Sequence, residues 1–408
     1  MTLAAAPVIT LDEQIIDFGG SVTCGAVDDI LTPSLANSER DHPRHVVFDF
    51  SETIFVEASA LQLVIAAALW LTRNGEEFSF RIPKSRKVRD FWRAWDFPAA
   101  LSKAVGVDSF SLVVSPDDRR YFGEKRKFYL PIELPGHPGF APDSVRSTNF
   151  FGFYSMSLDT RGPSPRLAYE EKDHWNVSHI HSVLSGKLGR ESSYFPSRVV
   201  FEAVLNALRH PGATVLQTAA TDQKVRSGRL FTIHFWDDGL SMLETLRRAI
   251  DGTDPVRGKF ESDLDRQYLV VESDEADENR EERIETAHMD LSRGIRPQDA
   301  LLATIMPAVS SDLFGLTHRV ADEVVEEDVR FGRRGMGLFV LVNAAVEVLG
   351  GSVAFRTSNY FMNVRRVNAL ERKRTTASLR VRLKRRSSDL PPFLGNLVTV
   401  RIPYPAGR

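Results

Sequence analysis

The sequence has one cysteine, no long apolar run and almost no net charge, and each absence removes a class of protein. Cys24 is the only cysteine among 408 residues, which excludes an internal disulfide and a cysteine-based zinc cluster. The longest strongly apolar run, residues 61–71, contains a glutamine and is far shorter than the ~20 residues of a membrane-spanning helix. The first seven residues lack the positive charge that begins a signal peptide. We therefore expect a cytoplasmic protein without membrane association, in which Cys24 is a buried, small apolar residue.

The near-zero net charge conceals two segments of opposite sign. The whole chain has 52 basic and 54 acidic residues, a net charge of −2. Residues 272–285 include eight acidic residues, whereas the segment from Arg365 to Arg386 has ten basic residues and one glutamate. Each segment can be a solvated loop or face. Alternatively, they form a complementary pair, or the basic one binds nucleic acid or an acidic partner.

Residues 1–125 alternate short apolar runs with helical periodicity, which predicts an α/β domain with a parallel or mixed sheet. The aromatic residues near residue 92 are predicted to be the packing face of a helix rather than a base-stacking platform. The predicted elements are a strand over 45–50, a helix over 58–73, a strand over 78–82 and a helix over 87–95.

A second domain is predicted over residues 170–408, after a linker over 126–169 that is rich in Pro, Gly and Ser. This domain is also α/β in pattern. Its predicted elements are a helix over 193–210, a hairpin over 213–218 and 230–236, a helix within 334–349, and strands over 353–356 and 397–402.

The first chemically suggestive motif lies in the helix over 193–210, where Glu202, Asn206 and His210 are spaced four residues apart. This spacing places the three side chains on one helical face. A carboxylate, an amide and an imidazole in that arrangement could serve as a base, a metal ligand and a hydrogen-bond partner. A solvated polar stripe has the same spacing, so the motif alone leaves both interpretations open.

The second motif is Asp237-Asp238-Gly239-Leu240-Ser241, which directly follows an apolar strand. Alternation along that strand places Asp237 on the face of its inward phenylalanines. A buried carboxylate is costly unless a donor meets it, and the amino group of adenine could be that donor. An ordinary Asp-Gly turn is the alternative.

The third motif is the run from Gly332 to Leu338, with Gly335, Met336 and Gly337 between them. Glycines let backbone amides approach phosphate oxygens, and the N-terminus of the following helix attracts anions. The spacing differs from the dinucleotide-binding fingerprint, and no P-loop sequence occurs in the chain.

In this order, the three motifs resemble the N, G1 and G2 boxes of the GHKL ATPases, which include gyrase, heat-shock chaperones, sensor histidine kinases and MutL-type repair proteins. The resemblance covers residues 170–408. It implies a Bergerat-fold α/β sandwich that holds ATP and Mg²⁺ between a sheet, the N-box helix and a lid over about residues 243–332.

The resemblance also implies roles for individual residues. Glu202 would polarise water or a substrate hydroxyl, Asn206 would hold Mg²⁺, and Asp237 would bind the adenine amino group. The other residues that it assigns to the nucleotide site are His210, Gly239, Gly335, Met336, Gly337 and Leu338. Two positions depart from the pattern: Ser241 replaces the second G1 glycine, and Gly395-Asn396 replaces the Gly-Thr that often precedes the last strand.

The N box, E-A-V-x-N-A-x-x-H, is especially similar to that of the anti-sigma-factor serine kinases. Residues 45–75 resemble part of a STAS domain, the fold of the antagonists that these kinases phosphorylate, which makes residues 1–125 a STAS-like domain by this resemblance. The family's acceptor motif is Asp-Ser-(Ser/Thr)-Gly, and this chain has Glu57-Ala58-Ser59-Ala60 in its place. Ala58 at the acceptor position excludes phosphorylation there and leaves Ser59 as the neighbouring hydroxyl.

Three functions are compatible with these motifs. The first is a Mg-ATP-dependent conformational switch, an ATPase whose nucleotide state changes how it engages another protein or macromolecule, with homodimer formation an available part of the cycle. The alternative is a protein-serine kinase of the anti-sigma-factor type that phosphorylates a separate partner protein. The third, a scaffold without turnover, is disfavoured by the presence of Glu202 and Asn206. Nucleic-acid binding through Arg365–Arg386 is compatible with each and would weaken steeply with salt.

Overall fold

The computed structural model of the chain combines helices and strands, which confirms the α/β prediction at this coarse level. The chain divides into two compact units, one of residues 1–128 with 389–391 and one of residues 129–388 with 392–408. The residues that the structure describes are 12–36, 44–95, 97–107, 148–157, 203, 206, 212–225, 228–245, 269–273, 281–284, 301, 302, 304, 305, 337–370, 378–385 and 393–404.

The first unit contains a parallel sheet with the strand order β1-β3-β5, as the alternation of strands and helices predicts. Strands β2 and β4 form a separate parallel pair. The predicted strands and helices agree with β3, α2, β5 and α3 to within one residue at each end. The elements of this unit are β1 (Asp12–Asp17), β2 (Ser21–Val22), α1 (Cys24–Ala36), β3 (Arg44–Asp49), β4 (Phe55–Val56), α2 (Ala58–Arg73), β5 (Glu77–Arg81), α3 (Arg86–Ala94) and α4 (Phe97–Val105).

Helix α2 is the central helix of this unit and is buried on nearly every side. It consists largely of Ala and Leu, which are strong helix formers, and it ends where Asn74 takes the C-cap position. An apolar surface all around a helix is typical of a helix inside a core. None of the described helices is long and apolar enough to cross a bilayer.

Aromatic side chains fill the space between the sheet and helices α3 and α4. Trp92 and Phe97 are fully buried, with ring centroids 4.7 Å apart, and the Trp92 ring lies 5.0 Å from that of Phe50. Trp95 is also buried. The structure thus confirms that these aromatic residues are a packing face.

The second unit is built on a nine-stranded sheet with the order β10-β9-β13-β12-β11-β14-β8-β7-β6. All neighbouring strands are antiparallel except β13 and β9, which are parallel. The strands are β6 (Thr148–Ser157), β7 (Val215–Val225), β8 (Gly228–Asp237), β9 (Leu269–Ser273), β10 (Glu281–Ile284), β11 (Ser352–Ser358), β12 (Tyr360–Arg366), β13 (Leu379–Arg385) and β14 (Phe393–Tyr404). Helix α5 (Gly337–Val342) continues into a π-helical segment, Asn343–Val348.

One face of this sheet, which we term the inner face, packs against helices. Phe231, Ile233 and Phe235 of β8 belong to one core cluster with Leu341 of α5 and Ala345 of the π-helical segment. Full burial of each such phenylalanine or isoleucine contributes about 1.5–3 kcal/mol. The alternating pattern of β8 predicted this face correctly.

The structure differs from the predicted boundaries at two places. Residues 126–169, predicted as a linker, contain β6, which pairs with β7 as part of the large sheet. The predicted lid over about 243–332 contains β9 and β10, which lie at one edge of the same sheet. Prolines, glycines and charges near these strands obscured their β-forming residues.

The acidic and basic segments meet as neighbouring strands rather than as two separate loops. The acidic segment begins within β9, at Glu272. Strand β9 pairs with β13 of the basic segment, and Glu272 lies opposite Arg382 in the register. On β13, the alternate residues Leu379, Val381 and Leu383 are buried, whereas Arg382 is exposed. This register places one acidic residue beside one basic residue; the other acidic residues of the segment lie on β10 or outside the described residues.

Candidate functional site

A row of three polar side chains crosses the inner face of the second unit's sheet at the point where its apolar core ends. Asp237 of β8 is the register partner of Asn396 of β14, which in turn is the partner of Thr357 of β11. The residues two positions away on each strand are apolar and belong to the core cluster. The three side chains therefore form a polar border to the core, which we term the polar row.

Asp237 supplies a buried carboxylate at the end of β8. The residue is 5% exposed, and its Oδ1 accepts hydrogen bonds from the backbone N–H of Gly239 at 3.0 Å and from Nδ2 of Asn396 at 3.1 Å. The bond from Gly239, two residues further along, is the Asx-turn that an Asp-x-Gly sequence favours. The inward position predicted for Asp237 is confirmed, and its two donors hold the orientation of the carboxylate.

Asn396 connects Asp237 to the chain segment that follows it. Its Nδ2 also donates to the carbonyl oxygen of Leu240 at 3.0 Å, while its Oδ1 accepts from the backbone N–H of Met242 at 2.9 Å and from the Thr357 hydroxyl at 2.7 Å. The Met242 N–H is shared with Thr357 Oγ1, also at 2.9 Å. Asn396 and Thr357 are fully buried or nearly so. These bonds join three strands and residues 240–242 into one network.

The adjacent carboxylate, Asp238, bonds to a different part of the chain, at the start of β7. Its Oδ1 accepts from the backbone N–H groups of Thr214 and Val215, each at 2.7 Å, and its Oδ2 accepts from the Thr214 hydroxyl at 2.5 Å. These bonds cap the start of β7. Of the two aspartates, Asp238 therefore has a structural role, and Asp237 is the candidate for binding a ligand.

Gly395 allows β14 to approach the end of β8 closely. Its φ is +78°, and a Cβ atom at this position would lie 1.7 Å from the carbonyl oxygen of Asp237. Both the conformation and the contact require glycine. The Gly395-Asn396 pair thus brings the amide of Asn396 to the carboxylate.

Several side-chain polar atoms in the described part of the second unit are buried without hydrogen-bond partners, and two of them lie on the predicted N-box helix and on β7. These two are Nδ2 of Asn206 and Oγ1 of Thr218. Asn206 lies one helical turn from Ala203, a member of the core cluster, and Thr218 lies opposite Phe235 in the register of β7 and β8. Unpaired buried groups are costly, so such sites usually hold water or a ligand. The amide nitrogen of Asn206 can donate, and the hydroxyl of Thr218 can both donate and accept, so each atom could bond to water or to a polar ligand.

The other residues predicted for the nucleotide site are described only in part. Gly337 is the first residue of α5, and Leu338 packs against the core cluster that also contains Ala203 and Phe235. Residues next to all three motifs therefore meet at one core. The remaining predicted residues lie outside the described part of the chain; they are Glu202, His210, Gly335 and Met336.

Sequence reasoning missed Asn396 and Thr357 as members of the site. The Gly395-Asn396 pair was visible as a departure from the resemblance, and this departure was the available signal for Asn396. Thr357 lies at the end of an unremarkable strand, and only its register with Asn396 reveals its contact.

In the first unit, the structure bears on the acceptor position of the STAS resemblance. Ser59 is only 4% exposed, so its hydroxyl is not accessible to a kinase in this conformation. The side chain of Glu57 instead accepts a hydrogen bond from the backbone N–H of Cys24 at 3.1 Å. Cys24 is half-buried at the start of α1, so its predicted burial is wrong: the neighbouring Gly25 is exposed, and this end of the helix is partly open to solvent.

A second buried charged cluster lies at the opposite end of β8 from Asp237. The carboxylate of Asp222 accepts from Nε of Arg229 at 2.8 Å and from the hydroxyl of Tyr404. The bond to Asp222 raises the pKa of Arg229, while burial raises that of Tyr404. Because its charges are paired internally, this cluster is part of the sheet's framework.

Comparison of the chain with protein-family models, curated proteins and solved structures finds no match in any of the three. The interpretation of the site therefore depends on its residues and geometry.

Proposed function

We propose that the second unit binds Mg-ATP in the manner of the GHKL ATPases, within a Bergerat-like α/β sandwich, and that the protein is an ATP-dependent conformational switch acting on a macromolecular partner. The observation that carries the proposal is the buried Asp237 carboxylate, held in place at the border of a core shared by residues next to all three motifs. An inward carboxylate with fixed orientation is suited to accept hydrogen bonds from an amino group.

In this proposal, each motif has a separate task. Asp237 accepts from the adenine amino group, and the backbone amides around Gly335 and Gly337 bind phosphate oxygens. Asn206 would hold Mg²⁺, which supplies neutralisation of phosphate charge when it is bound. Glu202 acts as the general base that accepts a proton from water. The partner would respond to the resulting change of conformation. A second copy of this chain, in a homodimer, can also be that partner.

The substitution Asp237→Asn tests the binding step. It replaces one carboxylate oxygen with an amide nitrogen that cannot accept from adenine. We expect a roughly 10- to 100-fold loss of affinity for a non-hydrolysable ATP analogue, since hydrogen bonds to charged groups contribute about 1.5–3 kcal/mol. Titration calorimetry measures the affinity, and circular dichroism establishes that the variant is folded.

Asp222→Asn is the matched control because it makes the same change to a buried carboxylate at the other end of β8. This control should lower stability but leave nucleotide affinity unchanged. Equal affinity of wild type and Asp237→Asn would remove Asp237 from the base site. No binding of any nucleotide by the wild type would refute the proposed function.

Hydrolysis is distinguished from phosphotransfer by incubation with Mg²⁺ and ATP labelled at the γ-phosphate, comparing wild type with Glu202→Ala. Free phosphate that depends on Glu202, without labelled protein, is the expected result for a switch. Label on an added partner protein would instead favour the serine-kinase alternative. The burial of Ser59 means that this chain's own STAS-like region is not the expected substrate.

A further inference from the structure

Asn396 is the one side chain in the polar row that contacts Asp237 and also holds the segment that follows β8. Both amide hydrogens of its Nδ2 have acceptors, one on Asp237 Oδ1 at 3.1 Å and one on the Leu240 carbonyl at 3.0 Å. Its Oδ1 faces the Met242 N–H and the Thr357 hydroxyl. Asn396 thus lies between the carboxylate and the start of the segment over 240–245.

The chemistry of these partners determines which way the Asn396 amide points. A backbone N–H can only donate, so the atom of Asn396 that faces Met242 must be the oxygen. The Leu240 carbonyl can only accept, so the atom that faces it must be the nitrogen. A rotation of the amide by 180° would oppose donor to donor at Met242 and acceptor to acceptor at Asp237. The orientation is therefore fixed by the surrounding groups.

Thr357 strengthens this orientation from the far side. Its hydroxyl donates to Asn396 Oδ1 at 2.7 Å and accepts from the Met242 N–H at 2.9 Å. The three groups form a closed triangle of hydrogen bonds in a site from which water is excluded. In such a site each bond is stronger and a lost partner is costly.

We infer that Asn396, oriented by Thr357, is a positioning residue that sets the base preference of the nucleotide site, an inference that rests on the proposed function. Asn396 and the backbone N–H of Gly239 both donate to Oδ1 of Asp237, and together they restrict rotation of the carboxylate. Asp237 is then presented to the ligand in one orientation, as an acceptor. A purine with a 6-amino group matches it, whereas a 6-oxo group would place two acceptors against each other.

The test compares Thr357→Val, which removes the hydroxyl at nearly constant volume, with Thr357→Ser, which keeps it. Asn396→Ala removes the positioning group itself. Affinities for the non-hydrolysable analogues of ATP and GTP are measured by titration calorimetry, alongside the melting temperature of each variant. Hydrogen exchange of the backbone amides over residues 238–245 is measured in nucleotide-free protein as a readout that needs no ligand.

We expect Asn396→Ala to bind the ATP analogue roughly 10- to 100-fold more weakly and Thr357→Val roughly 3- to 10-fold more weakly. The preference for ATP over GTP should fall in both, because the carboxylate is then held less firmly in one orientation. Thr357→Ser should keep affinity and preference near those of the wild type. Exchange over 238–245 should accelerate in Thr357→Val but not in Thr357→Ser.

Several outcomes would overturn the inference. If the wild type binds ATP and the folded variants retain its affinity and base preference, Asn396 is not a positioning residue, although the proposed function stands. If Thr357→Val and Thr357→Ser behave alike, packing rather than the hydroxyl is responsible. If the wild type binds no nucleotide, the proposed function fails; the exchange data then report only a structural network, and the positioning role is overturned with it.

Discussion

His234 is a buried histidine whose protonation should couple the stability of the second unit to pH. It lies on β8, and its Nδ1 is 3.0 Å from the hydroxyl of Thr399. Burial lowers the pKa of His234 to about 3, and the positive charge of Arg401 acts in the same direction. The imidazole is therefore neutral in the folded protein at every pH near neutrality.

The expected effect on stability follows from the difference between the folded and unfolded pKa values. In the unfolded chain, His234 has an ordinary pKa of about 6.5. Below that pH the unfolded state binds a proton that the folded state does not, so stability is lost as the pH falls towards 3. Each pH unit corresponds to about 1.4 kcal/mol, so His234 should lower the free energy of unfolding by about 2 kcal/mol at pH 5.

The substitution His234→Gln tests this coupling because glutamine does not titrate and retains an amide that can bond to Thr399. Since the chain has two units, the opening free energy is best measured locally, from hydrogen exchange of peptides covering β8 at pH 7.5 and 5.0. Between pH 7.5 and 5.0, the opening free energy of the wild type should fall by about 2 kcal/mol more than that of the variant. This difference corresponds to about 30-fold in the opening constant.

His45→Gln is the matched control, since His45 lies in the first unit and pairs with Ser79. Hydrogen exchange of the β8 peptides in His45→Gln should match that of the wild type at both pH values. Equal pH dependence of wild type and His234→Gln would refute the reasoning, because it would mean that His234 is protonated in the folded state or is not buried.

Two further predictions concern the ends of β8. Gly395→Ala should destabilise the second unit by roughly 3 kcal/mol or more, because the new Cβ would overlap the backbone of β8, whereas Gly106→Ala, with a similar φ of +72° and no atom within 4 Å, should cost about 1 kcal/mol. Hydrogen exchange in each unit measures both, and similar costs would contradict the close contact. Tyr404→Phe removes a hydrogen bond to Asp222 and should cost about 1–2 kcal/mol. Burial raises the pKa of Tyr404, so the folded tyrosine stays protonated above pH ~10, where the unfolded tyrosine ionises. The wild type should therefore lose stability as the pH rises above ~10. Urea unfolding should show a weaker loss in Tyr404→Phe.

The parts of the fold that could be predicted are those with a local cause. Helix α2 was predicted with its observed bounds, because its alanines and leucines favour a helix and Asn74-Gly75 favours a stop. The inward position of Asp237 followed from the period of two along β8. Neither inference required knowledge of a distant residue.

The strands in the charged segments were missed although β13 has a clear alternating pattern. The sequence LRVRLKR over Leu379–Arg385 alternates apolar and basic residues, which is typical of a half-buried strand. Because this segment is strongly basic, it was interpreted as a charged loop or face rather than as a strand. The pairing of β13 with β9 from the acidic segment was not predictable, because a parallel register between segments about a hundred residues apart leaves no local pattern.

Composition and spacing were sufficient to predict the α/β class, the three strands that carry the candidate site (β8, β11 and β14) and the carboxylate at its centre. Tertiary structure alone revealed what surrounds that carboxylate. Asn396 is 159 residues from Asp237 and 39 from Thr357, and the three meet only because β8, β14 and β11 are neighbours in one register. The energy of such a network lies in contacts between distant segments that exclude water together, and no single segment encodes it.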